Sequence, residues 1–180
     1  MVLRPIAPAL LCISLAVLPA EAQWVQTTGP VGGPVAAFSA RPSNGHVFAI
    51  AGQSVYRSSD GGATWQPLLF NGIAGDAPLN AVTAGSTTIF VAGNSPTAIT
   101  AIFRSTDNGD TWVPAAGTGL PLGTIINTFY FTGTKILAGL SSGSVYASTD
   151  DGDHWTPSNT GFSAGVIVRT RASSPTPAPA

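Results

Sequence analysis

Cysteine is almost missing from this chain. Cys12 is the only one among 180 residues, so no internal disulfide framework exists, and stability must come from a packed core or from bound metal. Charge is also scarce: Asp, Glu, Lys and Arg make 8% of the chain, against roughly 25% in an average soluble domain. With a formal net charge of −1 and no basic run, nucleic acid is not expected as a partner. Glu21 is the only glutamate, and His46 and His154 are the only histidines, too few ligands for a zinc site. What is present is apolar and turn-rich. Hydrophobic residues make 44%, which argues against global disorder, and 21 Gly with 15 Pro point to short strands joined by tight turns. No helical periodicity is seen beyond the N-terminus.

The two ends read differently from the middle. Met1–Arg4 carries one positive charge, residues 5–18 are mostly apolar, and Ala20-Glu21-Ala22 offers a small-x-small cleavage site. Residues 1–22 are expected to be a signal peptide cut after Ala22, which makes the protein secreted or periplasmic. A retained anchor is the alternative, disfavoured by the short, proline-interrupted apolar run. Cys12 is not expected to carry lipid, because Leu11 precedes it where a small residue would be needed and it lies inside the apolar run. At the other end, residues 172–180 form a Pro/Ala/Ser tail that is expected to be disordered.

Between the ends lies a repeat. Val55-Tyr-Arg-Ser-Ser-Asp-Gly-Gly-Ala-Thr-Trp65, Ile102-Phe-Arg-Ser-Thr-Asp-Asn-Gly-Asp-Thr-Trp112 and Val145-Tyr-Ala-Ser-Thr-Asp-Asp-Gly-Asp-His-Trp155 align without a gap. The shared pattern is Ser-x-Asp-x-Gly-x-Thr-Trp, carried by Ser58, Asp60, Gly62, Thr64 and Trp65, by Ser105, Asp107, Gly109, Thr111 and Trp112, and by Ser148, Asp150, Gly152 and Trp155, with His154 replacing the threonine. The chain thereby resembles the Asp-box (BNR) repeat β-propeller superfamily over about residues 23–171. That superfamily includes sialidases, sortilin-type receptor domains, large xyloglucanases and photosystem II assembly factors.

The resemblance implies an all-β chain, a partial β-propeller of three four-stranded antiparallel blades. The spacings agree: Asp60 to Asp107 is 47 residues and Asp107 to Asp150 is 43, close to the ~40–50 of a four-stranded repeat. The repeats are placed at about 31–68, 77–115 and 123–158. In each, an apolar stretch (35–38, 79–82, 125–131) precedes a strand ending in Ala-Gly (47–52, 89–93, 136–139) and then the strand entering the box. Trp24-Val25-Gln26 and residues 165–171 read as orphan outer and inner strands at the two ends.

Each box residue has a structural task. The aspartates are expected to accept amide hydrogens across the turn, the glycines to supply positive φ, and the tryptophans to pack between blades. A calcium site at Asp107–Asp110 and Asp150–Asp153 is the alternative. It is weakened by the single carboxylate of the first copy, so no metal or cofactor is expected.

Sialidase chemistry fails on the residues. The family uses an arginine triad, a tyrosine activated by a glutamate, and an aspartate acid/base. Here the only glutamate leaves with the signal peptide, and Arg57 and Arg104 sit at matching repeat positions, read simply as surface cover of a strand. A carboxylate pair for glycoside hydrolysis is also missing, since Asp110, Asp151 and Asp153 lie in the box turns and only Asp76 lies elsewhere. His46, after Asn44-Gly45, reads as a solvated hairpin residue, and no nucleophile-elbow pattern is found. No catalytic residue is therefore assigned.

Propellers usually carry roughly 4–8 blades, so three leave open edges. The chain is expected to pair into a six-bladed homodimer, to be a shortened relative of a longer propeller, or to persist as an open arc. The function expected is a non-catalytic scaffold binding a protein or glycan through residues 70–78, 94–100 and 117–123, taken as inter-blade loops. An oligomeric sugar-binding lectin is the first alternative, and a sialidase-like or xyloglucanase-like hydrolase the second.

Overall fold

The computed structural model describes residues 29–30, 33–68, 78–93 and 101–161. The expected signal peptide, both orphan strands, Asp76 and the 172–180 tail lie outside the described residues.

Three antiparallel sheets of four strands follow one another along the chain. Blade 1 runs β1 (Val35–Ala40), β2 (Val47–Ala51), β3 (Ser54–Ser58) and β4 (Gln66–Pro67). Blade 2 runs β5 (Leu79–Ala84), β6 (Ile89–Gly93), β7 (Ala101–Ser105) and β8 (Val113–Pro114). Blade 3 runs β9 (Ile126–Phe131), β10 (Ile136–Leu140), β11 (Val145–Ser148) and β12 (Thr156–Pro157). In each sheet the strands lie side by side in sequence order, the arrangement of a propeller blade. Among the described residues there is no helix. The outer strands are only two residues long, because the box turn consumes the chain that would extend them.

The blades stack face to face, and period-2 alternation decides which side chain meets which neighbour. One core joins blades 1 and 2: Phe48, Ile50, Val55 and Leu68 pack against Val82, Val91, Phe103 and Trp112. A second joins blades 2 and 3: Phe90, Ala92, Ile102 and Ala115 pack against Ile126, Phe129, Ile136 and Trp155. Phe48 and Phe90 are the largest fully buried side chains and stand at the same place in successive blades. Burying each contributes about 1.5–3 kcal/mol. All of β6 is buried, since blade 2 is covered on both faces, which explains why it reads as a continuous apolar run rather than an alternating one.

Among the described residues, no further sheet covers the outermost faces of the arc. Phe38 of β1 is 67% exposed although its counterparts Val82 and Phe129 are buried, and Tyr130 of β9 is 59% exposed on the opposite end face. Trp65 follows the same logic. Trp112 and Trp155 are buried between blades as expected, but Trp65 is only half-buried, because no described blade precedes its own.

Candidate functional site

The box turn is built from its serine outward. Ser58 Oγ donates to Asp60 Oδ1 at 2.7 Å and accepts the amide hydrogen of Gly62 at 2.8 Å. Asp60 Oδ1 then accepts the Thr64 amide at 2.9 Å and Oδ2 accepts the Thr64 hydroxyl at 2.6 Å. Blade 2 repeats this set through Ser105, Asp107, Gly109 and Thr111. Blade 3 repeats it through Ser148, Asp150 and Gly152, with His154 donating its amide at 2.9 Å and placing Nδ1 2.6 Å from Asp150 Oδ2. The glycines adopt φ of 98°, 88° and 84°, and the residue before each is also left-handed: Gly61, Asn108 and Asp151. Asn and Asp tolerate that region better than other non-glycine residues.

These hydrogen bonds act on the carboxylates. The Thr64 hydroxyl and amide, with Ser58, hold Asp60 well below the usual carboxylate range. Burial works against ionisation at Asp107. The Thr111 hydroxyl and amide and the Ser105 hydroxyl outweigh it and bring the carboxyl down to about 2. The His154 amide, then its side chain, brings Asp150 to about 2.

A feature read only as surface cover turns out to join blades. Arg57 Nη1 donates to the Asn108 carbonyl and to Asp110 Oδ1, both at 2.9 Å, so blade 1 grips the turn of blade 2. Arg104 Nη1 donates to the Asp151 carbonyl at 2.8 Å and lies 3.1 Å from Asp153 Oδ2, so blade 2 grips blade 3 in the same way. The series stops at both ends: Ala147 stands where a third arginine would be, and Ala63 where the first turn's carboxylate would be. The turns are also wedged apolarly. A β-carbon on Gly109 would lie 2.6 Å from Leu68 Cδ1, and one on Gly152 would lie 3.0 Å from Phe90.

Arg41 makes a further staple, which no motif signalled because it has no counterpart in the other repeats. It is 7% exposed and donates to the carbonyls of Ser86 (Nη2, 3.1 Å) and Thr87 (Nη2, 2.7 Å) and to Asn108 Oδ1. His46 is half-buried rather than solvated, with its Nδ1 enclosed.

As a catalytic arrangement the cluster does not work. Ser148, Asp150 and His154 stand together, but the serine hydroxyl bonds the carboxylate, not the imidazole, and Ser148 is 1% exposed. A hydrolytic triad needs the opposite order, base on nucleophile and acid behind the base. Asp110 and Asp153 are engaged by arginines. Among the described residues no group of three or more His, Cys, Asp and Glu is placed to hold a metal ion.

The loops expected to bind divide into two kinds. Residues 94–100 connect β6 to β7 within one blade, so they are not an inter-blade loop as expected, and they lie outside the described residues, as do 70–77. Residues 117–120 are tied down. Thr118 bridges His154 in parallel, donating to the Asp153 carbonyl at 3.0 Å and accepting the Trp155 amide at 2.8 Å, and Gly119 sits against the Trp155 carbonyl. Leu122, beyond them, is 82% exposed.

Four-stranded antiparallel sheets in series, stacked face to face and pinned by identical hairpins, define three blades of a β-propeller. The hairpin narrows the likeness within that class: the BNR/Asp-box repeat family matches residues 56–67, and the chain is similar to the β-propellers built on that repeat. Among solved structures it is similar to YCF48 bound to D1 peptide, with 19% identity, a TM-score of 0.59 and coverage of 74% of this chain and 41% of that one. YCF48 from Cyanidioschyzon merolae matches with 23% identity, a TM-score of 0.54 and coverage of 71% and 38%. The GH74 enzyme of Niastella koreensis matches with 21% identity, a TM-score of 0.50 and coverage of 68% and 22%. The chain thus spans about two-fifths of the YCF48 chains, and these likenesses show the fold. No curated protein matches the sequence.

Proposed function

We propose that the protein is a non-catalytic propeller-type scaffold, exported from the cytoplasm, that binds a protein or glycan partner. One observation carries the reading. The carboxylates of the box turns are committed to hairpins and arginine clamps, so the chemistry-bearing side chains of the motif hold the fold and do not face a substrate. The matched YCF48 structure with its D1 peptide supports a protein or peptide ligand over a glycan. Export rests on the signal-like residues 1–22 with a cut after Ala22. The described part of the surface proposed to bind is the exposed end of the β8–β9 connection around Leu122, and the proposal extends to residues 70–78 and 94–100.

A glycan array run beside a fluorogenic sialoside and a xyloglucan hydrolysis assay tests the reading. A scaffold for protein gives neither sugar binding nor turnover. Saturable sugar binding without turnover establishes the lectin alternative, and turnover establishes the hydrolase.

A further inference from the structure

The repeat provides its own control for a socket that is filled at one blade junction and open at the next. Between blades 1 and 2 the filling is Arg41, whose guanidinium lies on the Ser86 and Thr87 carbonyls and on Asn108 Oδ1. Strand register carries each position forward. Ala40, Ala84 and Phe131 end their strands and pair with Val47, Ile89 and Ile136. At the junction of blades 2 and 3, Gly85 therefore stands in place of Arg41, Gly133 and Thr134 in place of Ser86 and Thr87, and Asp151 in place of Asn108.

The acceptor positions have counterparts while the cation is gone, with Gly133 at φ 89° where Ser86 has no positive φ. Asp151 and Asn108 share the left-handed turn conformation, with φ of 55° and 62°. A cleft of about 340 Å³ opens at this place, with Gly85, Phe131, Gly133, Thr134, Thr149 and Asp151 among its walls. A β-carbon on Gly85 would meet the Phe131 ring at 2.8 Å, so a side chain at that position would have to displace the ring to enter the cleft. Arg104, the arginine that reaches the turn of blade 3, is already spent on the Asp151 carbonyl and on Asp153. The Asp151 carboxylate enters no ion pair among the described residues. It also brings a full negative charge where the filled junction needs only an amide oxygen.

We propose that this cleft binds a guanidinium group, presented by an arginine side chain of a protein or peptide partner. The Asp151 carboxylate and the loop carbonyls of Gly133 and Thr134 are its acceptors, and the Phe131 ring is its apolar wall. Planar forked donors match such an acceptor set better than an ammonium does, and an aromatic face adds attraction for the cation. No residue of 117–123 is among the walls of the cleft, so the inference goes beyond the binding surface proposed above and stands without it.

The test is an NMR titration of the full mature chain with N-acetyl-arginine amide, and separately with N-acetyl-lysine amide. The chain is also titrated with Arg169 and Arg171 replaced by glutamine, so that its own guanidinium groups cannot mask the site. Saturable shifts at the Gly85, Thr134 and Asp151 amides are expected with the arginine probe, weaker with lysine. Asp151→Asn, which copies the residue of the filled junction and preserves the turn, is expected to raise the Kd about five- to tenfold. No saturable shift in either chain, equal affinity for the two probes, or an unchanged Kd in D151N overturns the proposal.

Discussion

At the residue scale the Asp-box is a hydrogen-bond device whose parts are unequal. Ser105 is 2% exposed and both donates to Asp107 and accepts from Gly109. Ser105→Ala leaves that amide unsatisfied and is expected to cost about 1–3 kcal/mol in urea unfolding. The glycines separate backbone strain from packing. Gly62 and Gly109 share a positive φ, but a β-carbon on Gly62 has its nearest neighbour at 3.7 Å whereas one on Gly109 meets Leu68 at 2.6 Å. Gly62→Ala therefore reports strain alone, about 1 kcal/mol, and Gly109→Ala is expected to lose a further ~1–3 kcal/mol from overpacking between blades. Equal losses would mean that the turn of blade 2 is not wedged into blade 1. The box residues were legible from sequence because three copies align. The left-handed Asn108 and Asp151 were not, since only the glycine beside them advertises positive φ.

At the element scale, strand order and blade limits follow from apolar stretches recurring between the boxes. What the sequence hid is how one blade holds the next. Arg57 and Arg104 repeat in register, but a repeat position says nothing about which neighbour a long side chain reaches, and surface cover was the simpler reading. Only the stacking of sheets puts each beneath the following turn. Arg41 gave no signal because it does not repeat at all. Trp65 shares its motif position with Trp112 and Trp155, yet its burial depends on a neighbouring blade that one position in a sequence does not reveal. The arginine clamps are partly solvated, with the Asp110 side chain 63% exposed and that of Asp153 38% exposed. A double-mutant cycle on Arg104 and Asp153 is thus expected to give a coupling of about 0.2–1 kcal/mol that shrinks with added salt. A salt-insensitive coupling several times larger would indicate a desolvated pair instead.

At the scale of the whole molecule, the arc presents Phe38 at one end face and Tyr130 at the other. Joining two copies head to tail into a six-bladed ring would cover both faces. It would also bring Ala147 of one copy against Ala63 of the next, a junction without the arginine clamp that pins the internal ones. Ala147→Arg combined with Ala63→Asp is accordingly expected to shift the mass measured by light scattering toward the dimer at a given concentration. An unchanged mass would count against a ring closed in this way. Acid stability tests the account as a whole. A carboxyl whose folded pKa is depressed contributes stability in full above its unfolded value near 3.8 and loses it as pH falls through the folded value, about 2 for Asp107. The deciding measurement is the urea unfolding free energy of the wild-type chain and of Asp107→Asn from pH 7 down to pH 2. If the aspartates are hairpin locks, the variant is less stable at pH 7 by about 1–2 kcal/mol and the two curves converge between about pH 4 and pH 2. If the variant matches the wild type in stability at pH 7 while losing ligand binding or turnover, Asp107 serves a site and not the fold.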